Sequence, residues 1–164
     1  MPDERIVQQV SGILGMSNVK FMTSPDQQGF LVPSGSAGVF ISFVDWGGST
    51  LVGLRSVVLA QVDSSEERRQ KVLEAINEKN RQVAFGCFYL EADQGWVVYD
   101  YHLLGDQLQA QELMTALTAI ASTADQVDDE LRDAIGSGVR ALDVWKEAEG
   151  NASEPEGVGP VVDT

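Results

Sequence analysis

The sequence predicts an α+β domain, a mainly antiparallel sheet covered by helices. The hydrophobic period switches from that of a helix to that of a strand and back along the chain. The period-two runs come as neighbours joined by short turn sequences, the pattern of hairpins and not of β-α-β units. The chain has 164 residues, 43% of them apolar, enough for one compact body with a packed core.

The first element is a short helix. Ile6, Val10, Ile13 and Leu14 fall on one face, Asp3 and Glu4 sit where the helix dipole favours negative charge, and Gly15 marks the stop. Val19 to Met22 reads as a first strand. Pro25 to Gly29 is a turn, and Pro33-Ser34-Gly35-Ser36 a second interruption. Ala37 to Trp46 is a stronger strand, with Val39, Ile41 and Phe43 on one side and Phe40, Ser42 and Val44 on the other. Gly47-Gly48 turns the chain into Leu51 to Val62, rich in β-branched and apolar residues and suited to burial on much of both faces. Arg55 interrupts that run and is expected at an edge or a partner.

Ser64 and Glu67 have the spacing of a capping box and open a helix whose apolar stripe is Val72, Leu73 and Ile76, ending at Asn77 and Asn80. Val83 to Leu90 and Trp96 to Leu103 are the next strands, joined as a hairpin by five residues. Their aromatic content predicts a place at the sheet centre. Asp106, with Gln109 three residues on, is the expected cap of a long final helix with the seam Leu113, Leu117, Ile120, Ala124, Val127, Leu131 and Ile135. Gly136-Ser137-Gly138 should break it, and Val139 to Trp145 is expected to form one more helical piece. One domain over residues 1–146 and a disordered acidic tail over 147–164 complete the reading. The order is α-β-β-β-α-β-β-α.

So ordered, the chain resembles the YbjN family of bacterial proteins, whose fold is like that of type III secretion chaperones. The likeness covers roughly residues 4 to 135. It rests on the opening amphipathic helix, the strand block Val39-Phe40-Ile41-Ser42-Phe43 with Leu51-Val52-Gly53-Leu54, the helix ending Ile76-Asn77-Glu78-Lys79-Asn80 before Val83 to Phe88, and the aromatic hairpin followed by a long helix carrying Ala124-Asp125. The resemblance implies a chaperone-like or regulatory protein with no catalytic residues. It also implies a dimer that holds unfolded client segments on apolar surface.

Charge narrows the partners. Lys and Arg total 11 against 25 Asp and Glu, a formal net charge of −14. That surface repels nucleic acid and anionic membranes and attracts a basic protein segment. The N-terminal residues form no secretory signal and no apolar run is long enough to span a bilayer. With Cys87 as the one cysteine, no disulfide closes within the chain, which fits a cytoplasmic setting.

Little in the chain suits catalysis. His102 is the only histidine, so a multi-histidine metal site is excluded. Cys87 and His102 lie on the two strands of one hairpin; paired, they would make a thiol nucleophile, and unpaired, a small core thiol beside an ordinary strand histidine. Asp125, Asp128, Asp129, Glu130 and Asp133 crowd the last helix, read as a solvated face without the loop of a calcium site. Gly35 to Gly38 and Gly47-Gly48 neither open a helix nor precede a phosphate-loop lysine.

The sequence therefore points to a protein-binding domain that needs no cofactor and acts as a homodimer on a protein client. Contact candidates are Arg55, Trp96, Val139, Leu142 and Trp145. The alternatives are a small-ligand sensor with a pocket between the sheet and the last helix, and a Cys87–His102 thiol enzyme.

Overall fold

A computed structural model describes residues 3–24, 28–35, 37–144 and 146. Helix α1 spans Glu4–Met16. Strands β1 (Met22–Thr23), β2 (Gly29–Ser34), β3 (Ala37–Trp46) and β4 (Ser49–Ala60) follow, then α2 (Glu66–Asn80). Strands β5 (Cys87–Glu91) and β6 (Trp96–Leu104), a 3₁₀ turn at Gly105–Gln107, α3 (Ala110–Ile135) and β7 (Val139–Arg140) complete it. All pairings are antiparallel, in the order β1-β2-β3-β4-β6-β5, with β7 added along β4. The α+β expectation holds, with β1 and β7 as two-residue additions at the margins.

The period-two readings translate directly into faces. Phe30–Ile41–Leu54–Tyr101 and Phe43–Val52–Leu103 are rows across one side of the sheet. All three long helices pack on that side. Asp3 N–H at the start of α1 donates to Thr50 Oγ1 of β4 (3.0 Å), and Tyr101 and Leu103 lie against α3. An ion pair from Lys79 to Glu130 ties α2 to α3. Ile6, Val10, Ile13 and Leu14 of α1, Val72 and Ile76 of α2, and the α3 seam join the strand residues in one core.

Several expectations are corrected. The aromatic hairpin β5–β6 forms one margin of the sheet, not its centre; β4 is central because it pairs with β3 through a local turn and with β6 across α2. Strand β5 starts at Cys87, not Val83, because Gly86 turns there with φ +67° and Phe85 stays exposed. In α2, Ser64 makes no capping box: its hydroxyl donates to Ala92 O, and Asp63 Oδ1 instead accepts the N–H of Ser65, the first residue outside the helix. Leu73 is exposed, leaving Val72 and Ile76 as the buried stripe. Asp106 lies in the 3₁₀ turn and α3 begins four residues later, since Leu108 is buried in extended conformation and draws the chain inward first. Asp128 is 5% exposed, buried in the α3 seam where a solvated acid was expected. The predicted break of α3 falls at Gly136, which caps the helix in left-handed conformation, but Val139–Arg140 then pairs with β4, and helix resumes at 141–144 and 146 among the described residues. The first strand is shorter than Val19 to Met22, and β2 lies between the two turn signals. The tail over 147–164 lies outside the described residues.

Candidate functional site

The opposite face of the sheet carries none of α1, α2 or α3. Its rows follow from register. Leu31, Phe40, Arg55, Asp100 and Cys87 run side by side across five strands. Beside them lie Ser42, Gly53 and His102, then Val44, Leu51 and Leu104. Trp46 ends β3 on the same side. Val44 is 43%, Leu104 55% and Trp46 63% exposed, while Phe40, Leu31 and Leu51 are half-buried. Apolar side chains that stand bare in this way on a contiguous strand face mark an interaction surface. A Cβ at Gly53 would come 2.8 Å from Ser42 Oγ and 3.2 Å from His102 Nε2, so the glycine lets these two polar groups close over the row between the apolar ones.

One polar corner interrupts this surface. Arg55 is ion-paired with Glu91 and its guanidinium carbon lies 5.8 Å from the Tyr89 ring centre, within cation–π range. Asp100 stands directly opposite Arg55, yet its one ion-pair contact among the described residues is His102 Nδ1 at 3.9 Å. Half-burial raises the Asp100 pKa, against the lowering pull of His102 and Arg55. Cys87 pairs with Asp100, and His102 lies two residues further along the same side of β6. Desolvation first, then the negative Asp100, raise the Cys87 thiol pKa. That environment favours the protonated thiol, opposite to what activates a nucleophile. Cys87 is exposed, so it is not the core thiol that its strand position suggested.

Arg55 sits on the central strand, not at an edge, and Trp96 faces its ion-pair partner Glu91 directly across the hairpin. Leu59 pairs with Val97 on one side and Arg140 on the other, so Trp96 and Val139 flank the end of β4 from opposite sides. Leu142, half-buried, follows Val139. Trp145 lies outside the described residues. Sequence reasoning missed Phe40, Val44, Trp46 and Leu104 as contacts; the signal for the first three was the even-numbered side of β3, nearly as apolar as its buried side. It also undervalued Asn80, whose amide donates to Phe88 O (3.0 Å) and accepts from Phe88 N (2.7 Å). That side chain occupies the outer backbone groups of Phe88 on marginal strand β5, where a further strand would otherwise add.

On the helix side, a groove of about 320 Å³ runs between the first turns of α3 and the sheet, with Tyr101, Leu103, Ala116 and Phe85 in its walls. No group of three or more His, Cys, Asp or Glu among the described residues could hold a metal ion. No described helix is long and apolar enough to cross a membrane.

An antiparallel sheet with its helices on one side is a type III secretion chaperone-like fold. The model of the family described as T3SS (YopN, CesT) and YbjN peptide-binding chaperone 1 matches residues 3–144, and the chain belongs to that family. Among solved structures it is similar to YbjN from E. coli, with TM-score 0.53 and 9% identity over 81% of this chain and 95% of that one. It also matches a chain of the ExsC–ExsE complex, with TM-score 0.45 and 15% identity over 77% of this chain and 91% of that one. No curated protein matches.

Proposed function

We propose that this chain is a non-enzymatic chaperone-like protein that holds an extended segment of a client protein against the bare face of its sheet. It works as a cytoplasmic homodimer through one domain over residues 1–146. The observation that carries the reading is the one-sided placement of the helices. It leaves Val44, Trp46 and Leu104 exposed beside half-buried Phe40 and Leu51, apolar surface that nothing in the fold requires to be bare. Membership of a peptide-binding family supports it, and the resemblance to secretion chaperones supports the dimer. Arg55 and Trp96 flank that surface and are proposed as contacts, with Val139, Leu142 and Trp145 at the far end of β4.

The test is binding of fluorescein-labelled extended peptides rich in Leu, Val and Phe, followed by anisotropy, with the mass of the full chain from light scattering. Trp46→Ser combined with Leu104→Ser should weaken binding at least tenfold, each buried apolar side chain contributing about 1.5–3 kcal/mol. Unchanged affinity in that variant overturns the reading.

A second reading, a small-ligand sensor, is favoured by the groove between α3 and the sheet, whose 320 Å³ lies at the lower end of ligand-site sizes. Thr115→Trp would fill that groove. If apolar dye binding disappears in this variant while peptide binding persists, the groove is a separate ligand site.

A further inference from the structure

The bare face is not electrically neutral. Among the described residues of its central row the cationic side chain is Arg55, which is committed to Glu91 and to the Tyr89 ring. Asp100 sits beside it in the five-strand row, 20% exposed at its side chain, with a histidine contact at 3.9 Å and only a share of the Arg55 charge, whose guanidinium bonds Glu91. A carboxylate so placed lacks a full counter-charge, and the whole molecule, at −14, adds to the field drawing cations toward it. Phe40 and Leu31 extend the same row in one direction, and Leu51 and Leu104 lie four residues along the strands from Arg55 and Asp100. The surface therefore offers apolar contacts about two strands across and four residues along from an incompletely paired carboxylate.

Resting on the peptide-holding reading above, we infer that Asp100 selects the client: the face takes extended segments in which a lysine or arginine is flanked by apolar residues. The cation completes the half-paired carboxylate, and the flanking side chains cover Phe40 on one side and Leu104 on the other. An acidic residue at the same place meets Asp100 and Glu91 and is rejected. Opposite charge at this position thus discriminates among segments of equal apolarity.

The probes are three twelve-residue labelled peptides of identical Leu, Val and Phe content with Lys, Gln or Glu at the centre, titrated with the full chain at low and at physiological salt. The Lys peptide should bind roughly fivefold more tightly than the Gln peptide at low salt, the scale of one partly exposed ion pair, and the advantage should shrink with salt. Asp100→Asn should abolish that advantage and leave the Gln peptide unchanged, and Asp100→Lys should make the Glu peptide the preferred one, with circular dichroism confirming that both fold. Equal binding of all three peptides, or a Lys preference that survives Asp100→Asn, overturns the inference while sparing the peptide-holding function. Failure of all three to bind overturns both. If Phe40→Glu converts a dimer to a monomer, the face belongs to a second copy of the chain, and the client inference falls.

Discussion

The two sides of one sheet have different tasks. Leu54 and Val52 on β4 point under α3 and are completely buried, whereas Gly53 and Arg55, their neighbours in sequence, point to the other side. The covered side is closed by side chains that interlock with three helices. The bare side keeps apolar groups at 43–63% exposure together with a charge cluster. The difference teaches that a strand can be apolar on both faces for two separate reasons, and only one of them is stability. Surface that contributes to the fold is buried; the exposed side is the one proposed for binding.

The sharpest way to break this comparison is to truncate matched residues on the two sides. Leu54→Ala should lower unfolding free energy in urea by about 2–5 kcal/mol, the cost of an unfilled cavity in a packed core. A loss below 1 kcal/mol would mean that the helix side is loosely packed. Next in size is Asn80→Ala. It leaves the N–H and C=O of Phe88 without partners and should cost about 1–3 kcal/mol, and light scattering should show concentration-dependent association through the freed strand edge.

Asp128→Asn should act the other way. Burial raises the carboxyl pKa of Asp128, ahead of the opposing hydrogen bond from Asp129 N–H. Folded protein therefore holds that proton to higher pH than unfolded protein does, and stability from this group falls as pH rises from the unfolded value near 3.9 through the raised folded one. At pH 7 the asparagine variant should be more stable by on the order of 1 kcal/mol. Its advantage should vanish in acid once the wild-type carboxyl is protonated in both states, as followed by thermal melts across pH 3–7. The smallest effect belongs to the bare side: Leu104→Ser should change stability by no more than about 0.5 kcal/mol, as exposed substitutions do. A change of several kcal/mol there would show that this side is structural after all.

Much of this architecture was legible because alternation along a strand is a local property. The faces of β3 and β6 follow from counting by two, and the α1 and α3 seams from counting by three and four. What local pattern does not carry is which strand lies beside which. The place of the β5–β6 hairpin depends on β6 crossing α2 to reach β4, a pairing of residues some fifty positions apart, such as Gly53 with His102. The misplaced cap at Asp106 has a similar origin, since the buried Leu108 overrides the preference of an aspartate to start a helix. Within the site, Arg55 stood out as a charge in an apolar run. Asp100 did not, because its weight comes from neighbours on β4 and β5 and not from its own strand.

The position of α3 after every long strand has a consequence for synthesis. While the nascent chain emerges, β2, β3 and β4 can pair as soon as their turns leave the ribosome, but the helix that shields them is made only at residues 110–135. Until then the side that α3 closes is covered only in part, by α1 and α2, and sticky intermediates of that kind are what cellular folding assistants capture. A protein that looks after other chains begins its own life in need of the same care.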